Sequence, residues 1–219
     1  MPRLTALCLL LGIAACTTPG EPARQRHATT HTLVSQRDPA VRIALPPKAV
    51  YVGTDRWVLY GVADCEIHVF VEATPDKRIQ RLYWIQFEQY LPSKPELHYD
   101  YDRDPQRLSK DGMLFHVRPR FGPTNEPAKP DSDLDHVLKL LVANGYTNPP
   151  HMMNTRLVHL TDATRRKELM VIYSVDMAPN GLTSQDLMRD GDIDEARWAP
   201  IAQALVAEAD RNIRITRLR

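Results

Sequence analysis

EIHVFVEATPDKRIQRLYWIQFEQY, residues 66–90, is two alternating runs joined by turn-forming residues. Successive side chains on a strand point to opposite faces. The first run therefore puts Ile67, Val69 and Val71 on one face and Glu66, His68, Phe70 and Glu72 on the other. Thr74-Pro75-Asp76-Lys77 has turn composition. Residues 79–90 return with Tyr83, Ile85 and Phe87 on one face and Leu82, Trp84, Gln86 and Glu88 on the other. Two such runs predict an antiparallel hairpin with one drier face.

The pattern continues outward in both directions. Before the hairpin, residues 41–45 alternate, and 49–52 and 57–62 flank Gly53-Thr54-Asp55, which predicts a smaller hairpin. After it, residues 91–112 carry Pro92, Pro95 and Pro105 without periodicity and read as a loop. Residues 113–118 read as a short strand, and the proline-rich 119–130 as a loop. Asp131 or Ser132 then caps a helix whose apolar stripe is Leu134, Val137, Leu138, Leu141 and Val142, and Asn144-Gly145 ends it. Residues 155–160 and 168–176 predict a second hairpin. A closing helix over 194–211 presents Trp198, Ile201, Ala202, Leu205 and Ala209, and 213–218 alternates as a last strand. Strands in runs with few helices, and no repeating βαβ units, predict an α+β fold. The expectation is a single domain over residues 41–219, mainly antiparallel sheet, with two principal helices packed on one face.

The first sixteen residues, MPRLTALCLLLGIAAC, have a different character. Arg3 precedes an uncharged apolar run too short to span a bilayer, and Ile13-Ala14-Ala15-Cys16 sets small residues before a cysteine. This block resembles the signal and lipobox of bacterial lipoproteins. The resemblance implies a signal peptide over residues 1–15, cleavage after Ala15, and acylation of Cys16. Membrane lipid would then be the anchoring partner, with the domain facing the periplasm or the exterior. Thr17-Thr18 replaces the aspartate that usually marks inner-membrane retention, which leans towards the outer membrane. Residues 16–40 are rich in Thr, Pro, Arg and Gln and are expected to form a flexible lipidated tether.

Charge and cysteines narrow the function classes. The chain has 28 Lys and Arg against 27 Asp and Glu, and Arg3 leaves with the leader, so the remainder is neutral. Phosphate-backbone binding needs a basic excess, so nucleic acid is not an expected partner. Cys8 belongs to the leader and Cys16 to the lipid, leaving Cys65 alone, so no intramolecular disulfide is expected.

Candidate chemistry is sparse. Cys65 with His68 three residues on would face opposite sides of a strand, and the thiol reads as a small core residue. Glu66, His68 and Glu72 share a face and form the candidate metal or catalytic set, against the reading of a solvated sheet face. His98-Tyr-Asp-Tyr-Asp-Arg-Asp104 has Asp-x-Asp-x-Asp spacing but Pro105 where a calcium loop needs glycine. Asp190–Glu195 reads as a turn and helix cap. His151-Met152-Met153, with His159, Met170 and Met177, has copper-type donors on plainly core strands. Ser174 lacks the Gly-x-Ser-x-Gly elbow of a serine hydrolase. Tyr51, Trp57, Tyr60, Tyr83 and Trp84 read as sheet packing, with an apolar groove as the alternative. No catalytic residue and no cofactor is expected. The expected function is a lipid-anchored envelope domain that binds or scaffolds. The alternatives are an enzyme built on His68 with Glu66 and Glu72, and a carrier of a small apolar ligand or lipid.

Overall fold

Alternating sequence becomes sheet almost throughout. The structure, a computed structural model, describes residues 26–218. Ala15 and Cys16 lie outside them. The strands are β1 (Arg26–Ala28), β2 (Thr32–Gln36), β3 (Ala40–Ala44), β4 (Val50–Leu59), β5 (Ala63–Ala73), β6 (Ile79–Tyr90), β7 (Gln106–Lys110), β8 (Met113–Pro123), β9 (His151–Leu160), β10 (Lys167–Asp176), β11 (Met188–Arg189), β12 (Asp192–Ile193) and β13 (Arg214–Arg217). The helices are α1 (Asp133–Ala143) and α2 (Glu195–Asn212). This is an α+β fold dominated by antiparallel sheet.

A seven-stranded sheet runs in the order β4-β5-β6-β10-β9-β8-β7, and a four-stranded sheet in the order β1-β2-β3-β13. The hairpin of residues 66–90 forms as β5 and β6 in the middle of the larger sheet, with Cys65 opposite Glu88 and Glu66 opposite Phe87. Neither of its faces is wet. Phe70, Tyr83, Ile85 and Phe87 belong to a core completed by the smaller sheet and by Trp198, Ala202, Leu205 and Ala209 of α2. Ile67, Val69, Val71, Leu82 and Trp84 belong to a second core closed by Val137 and Leu141 of α1. The two helices therefore cover opposite faces of the large sheet, and the expectation of helices packed on one face is corrected. The physical reason is in β5 and β6 themselves: aliphatic and aromatic side chains occupy both parities, so both faces need cover.

Three other expectations change. Residues 26–40 were assigned to the tether, but β1 and β2 lie there. Leu33 is fully buried against the α2-side core, and burial of a leucine stabilises by about 1.5–3 kcal/mol. A mostly polar segment is ordered by one such side chain and the ladder to β3. In place of a hairpin over residues 49–62, Val50–Leu59 form one strand, β4, with a register shift between Tyr51 and Gly53. The reversal falls instead at Tyr60-Gly61, where both residues have positive φ (46° and 71°), the geometry of a tight hairpin turn. The predicted loop 91–112 contains the edge strand β7, and β8 runs on to Pro123.

Both helices start where the sequence places them. Ser132 caps α1 by accepting from the Asp135 amide, and Asp194 caps α2 by accepting from the Arg197 amide. Gly145 follows α1 with φ of 75°, the left-handed conformation that ends a helix. The segment between β6 and β7 crosses the α1 side of the sheet and lays Tyr99 and Tyr101 over it; their hydroxyls donate to Glu88 and Glu168.

Candidate functional site

The smaller sheet meets one end of β4, β5 and β6 at a cleft of about 780 Å³. Its floor is polar because the alternation of β5 turns Glu66 and His68 towards the α2 side. Glu66 Oε1 lies 2.9 Å from His68 Nε2, and the Tyr51 hydroxyl lies 3.2 Å from His68 Nδ1. A proton on Nε2 points at the Glu66 carboxylate, and Nδ1 faces the Tyr51 hydroxyl. Arg26 of β1 donates to Glu66 Oε2 at 2.9 Å and stacks on Phe87 with its guanidinium carbon 3.9 Å from the ring centre. Burial opposes ionisation of Glu66, but the hydrogen bonds and charges of His68 and Arg26 outweigh it and hold the carboxyl below its ordinary range.

The structure brings Glu66 and His68 together but not Glu72. Although it shares their face, Glu72 accepts from the Tyr83 hydroxyl at 2.7 Å and lies 3.5 Å from Arg81. The three-residue set is therefore a pair plus a separate ion pair, with both ring nitrogens of His68 held by protein groups. Sequence pattern does not mark Arg26 or Tyr51 for this site: Arg26 falls in the expected tether and Tyr51 among packing aromatics. Arg37, Asp38, Arg56, Asp64 and Lys167 add charges of both signs to the cleft. Two of these pairs are direct, Arg56 with Asp64 at 2.6 Å and Lys167 with Asp38 at 3.5 Å.

On the other face of the same strands lies a second cluster. Cys65 Sγ and one carboxylate oxygen each from Glu88 and Asp133 fall within 4.8 Å of one another. A thiolate with two carboxylates is a donor set that zinc accepts. Glu88 is already held by Gln86 Nε2 at 2.7 Å and by the Tyr99 hydroxyl at 2.9 Å, while Asp133 Oδ1 is buried without a hydrogen bond. Glu168 lies directly across from Glu88. Burial, reinforced by the Glu88 charge, pushes Asp133 up to about 6 and Glu168 up to about 8. Burial first, and then the charges of Glu88 and Asp133, push the Cys65 thiol well above its ordinary range.

The remaining candidates are structural. Asp100 and Asp102 pair with Arg165, and Asp104 with Arg118 and Arg156, so arginine satisfies the three aspartates of residues 98–104. Asp194 caps α2 and pairs with Arg189. Met152 and Met170 lie in the α1-side core, Met153 and Met177 in the α2-side core, and His151 contacts Ser184, so the copper-type donors are not gathered. Ser174 is buried on β10. Tyr83 and Trp84 fill opposite cores, Trp57 stacks on His136 at 4.0 Å, and Tyr60 sits exposed under Lys129. No protein-family model, no curated protein and no solved structure matches this chain.

Proposed function

We propose that this chain is a lipid-anchored envelope protein whose cleft beside Glu66 and His68 binds a small ligand carrying both charges, such as a short peptide, without transforming it. One observation carries the reading against catalysis. His68 is 3% exposed, both its nitrogens have protein partners, and both oxygens of Glu66 are taken by His68 and Arg26. A general base must present a free acceptor to the reacting proton. Here the relay is closed on itself and serves to fix Arg26 and Tyr51 on the cleft wall. The surrounding Arg37, Lys167, Asp38 and Asp64 offer paired donors and acceptors, which suits a zwitterion better than an acyl chain. The apolar-carrier alternative loses support because the wide sheet faces are covered by α1, α2 and the smaller sheet.

The anchor gives the cleft a location. Ten residue steps separate Cys16 from Arg26, so a lipid on Cys16 would hold the cleft wall within about 35 Å of the bilayer. Two measurements test the proposal. Cells fed labelled palmitate should label the protein, and Cys16→Ser should abolish the label; labelling that survives the substitution overturns the anchor. Thermal-shift titration of the purified protein with zwitterionic peptides, against fatty acids of matched size, tests the ligand class. Peptide should raise the melting temperature, and Arg37→Ala should remove the rise. A shift produced by fatty acids alone overturns the reading.

A further inference from the structure

On the face of the large sheet opposite the cleft, beyond the reach of α1, β8 and β9 place like charges side by side. Arg118 lies directly across from Arg156, an arrangement that destabilises a sheet unless something neutralises it. Asp104, whose side chain is only 2% exposed, does so in part. It accepts from Arg118 Nε at 2.6 Å and from Arg156 Nη2 at 3.0 Å. Two more arginines border the same hollow of about 490 Å³. Arg120 is two residues along from Arg118 on the same face, and Arg103 comes from the loop before β7. Neither guanidinium has a hydrogen bond or ion pair among the described residues. Asp100, the other acid there, is 3.3 Å from Arg165 and is held away by it. Arg156 Nε is buried with no partner, and the Arg156 guanidinium is set over the Tyr101 ring at 4.7 Å. Partial desolvation, together with the charges of Arg156 and Arg118, lowers the pKa of Arg120. The hollow thus holds more cation than its own carboxylates balance.

We infer that this arginine hollow is a binding site for a phosphate group. Guanidinium forks bind planar or tetrahedral oxyanions through paired N–H donors. Four of them converging from two strands and a loop exceed what the two oxygens of a carboxylate can accept, whereas a phosphate offers three or four. The site is local: the chain as a whole carries a net charge of +1, so general attraction to polyanions does not explain it. The phosphate has two sources, a soluble phosphate monoester or the monoester headgroup of a membrane lipid such as phosphatidic acid, and both present three terminal oxygens to Arg118, Arg120 and Arg156.

Calorimetric titration of the purified full-length mature protein at low salt separates these outcomes. The probes are inorganic phosphate, glycerol 3-phosphate, a short-chain phosphatidic acid below its micelle concentration, and acetate. One of the phosphate probes should bind, more tightly than acetate. Arg120→Ala should weaken it by about tenfold, the loss of one charged hydrogen-bonding group, and Arg120→Lys should recover part of the loss. Arg120 is exposed, so the melting temperature of both variants should match the parent and report that folding is intact. Tightest binding by glycerol 3-phosphate assigns a soluble ester; tightest binding by the short-chain lipid assigns a headgroup. Absence of binding by every phosphate probe at millimolar concentration overturns the inference. So does acetate binding as tightly as phosphate, or unchanged affinity in Arg120→Ala.

Discussion

Glu66 and Glu88 stand on neighbouring strands of one sheet, each bordering the pair Cys65–Glu66 or Phe87–Glu88, yet they face opposite sides and meet opposite electrostatics. On the α2 side three carboxylates each have a cation. Glu66 has Arg26, Glu72 has Arg81, and Glu208 has Arg81 at 2.9 Å. On the α1 side, beside Cys65, Glu88 and Glu168 are met by neutral donors, namely Gln86, Tyr99 and Tyr101, and Asp133 Oδ1 is buried without a partner. Glu66 is therefore held ionised on one face, while Glu168 and Asp133 are pushed towards their protonated forms on the other. Burial acts alike on both; the cation decides the sign. Glu66 and its partners form a fixed ionised wall, and the cluster around Asp133 and Glu168 a proton-holding core; Asp104, paired with Arg118 and Arg156 farther along the α1 side, follows the first rule.

The largest effect that tests this contrast is at Glu168. Its folded pKa of about 8 lies above its ordinary value of 4.5. Between those values the folded state keeps a proton that the unfolded state releases, so stability is full below about pH 4.5 and falls as pH rises towards 8. Because Glu168 is 2% exposed, the loss across that window is about 2–5 kcal/mol. Asp133, raised to about 6, adds to the fall at its lower end. Glu168→Gln keeps an oxygen for Tyr101 and removes the titration. Its urea midpoint should stay level where the parent's declines, leaving the variant more stable than the parent at pH 8.5. A parent protein equally stable at pH 5 and pH 8 breaks the contrast.

A smaller effect with the reverse pH dependence belongs to Arg26. Removing it by Arg26→Ala strips Glu66 of its charged donor and uncovers Phe87, at about 1–3 kcal/mol. Glu66 is depressed in the folded state, so it contributes stability above its unfolded value, and that contribution is lost as pH falls through the folded one. The parent should weaken in acid below about pH 4.5 through this group, and Arg26→Ala should weaken less steeply there. Chemical denaturation at pH 3.5, 5 and 7 measures the difference of slopes. An acid slope unchanged by the substitution would show that His68 alone holds Glu66.

How much of this could be read in advance depends on what a strand pattern encodes. Parity was legible: residues 66–90 do form the central hairpin, and Glu66 and His68 do share a face. Ser132, Asp194 and Gly145 marked helix ends because their chemistry is local. Register was not legible. A turn closed at Thr74 and Lys77 extrapolates to Cys65 opposite Gln86, but a shift between Glu72 and Ala73 puts Glu88 there. The cluster with Asp133 hangs on that shift. Nor does one strand say what covers it. Alternation with bulky side chains in both parities, as in Tyr83-Trp84-Ile85, was the available signal that both faces would be buried. Arg26 was lost for a different reason: composition averaged over residues 16–40 hid Leu33 and the short strands around it.

The smallest effect falls on the residue with the most suggestive chemistry. Cys65 is fully buried, and its thiol has Glu88 and Asp133 for neighbours with no cation beside it. Thiolates, not thiols, attack and ligate, so in the folded protein Cys65 should resist alkylation by iodoacetamide at pH 8 and react once urea unfolds the chain. Cys65→Ala removes one buried sulfur from a position across from Trp57 on β4, and should cost about 1 kcal/mol. Zinc sharpens the result, because a bound divalent cation would lower the thiol pKa and supply the positive charge that the Cys65, Glu88 and Asp133 cluster lacks. Added zinc should then level the fall in stability between pH 5 and 8 in the parent, and do so less in Cys65→Ala. If the thiol alkylates readily in the native protein, the α1 side is open to water and the contrast between the two faces fails at its source.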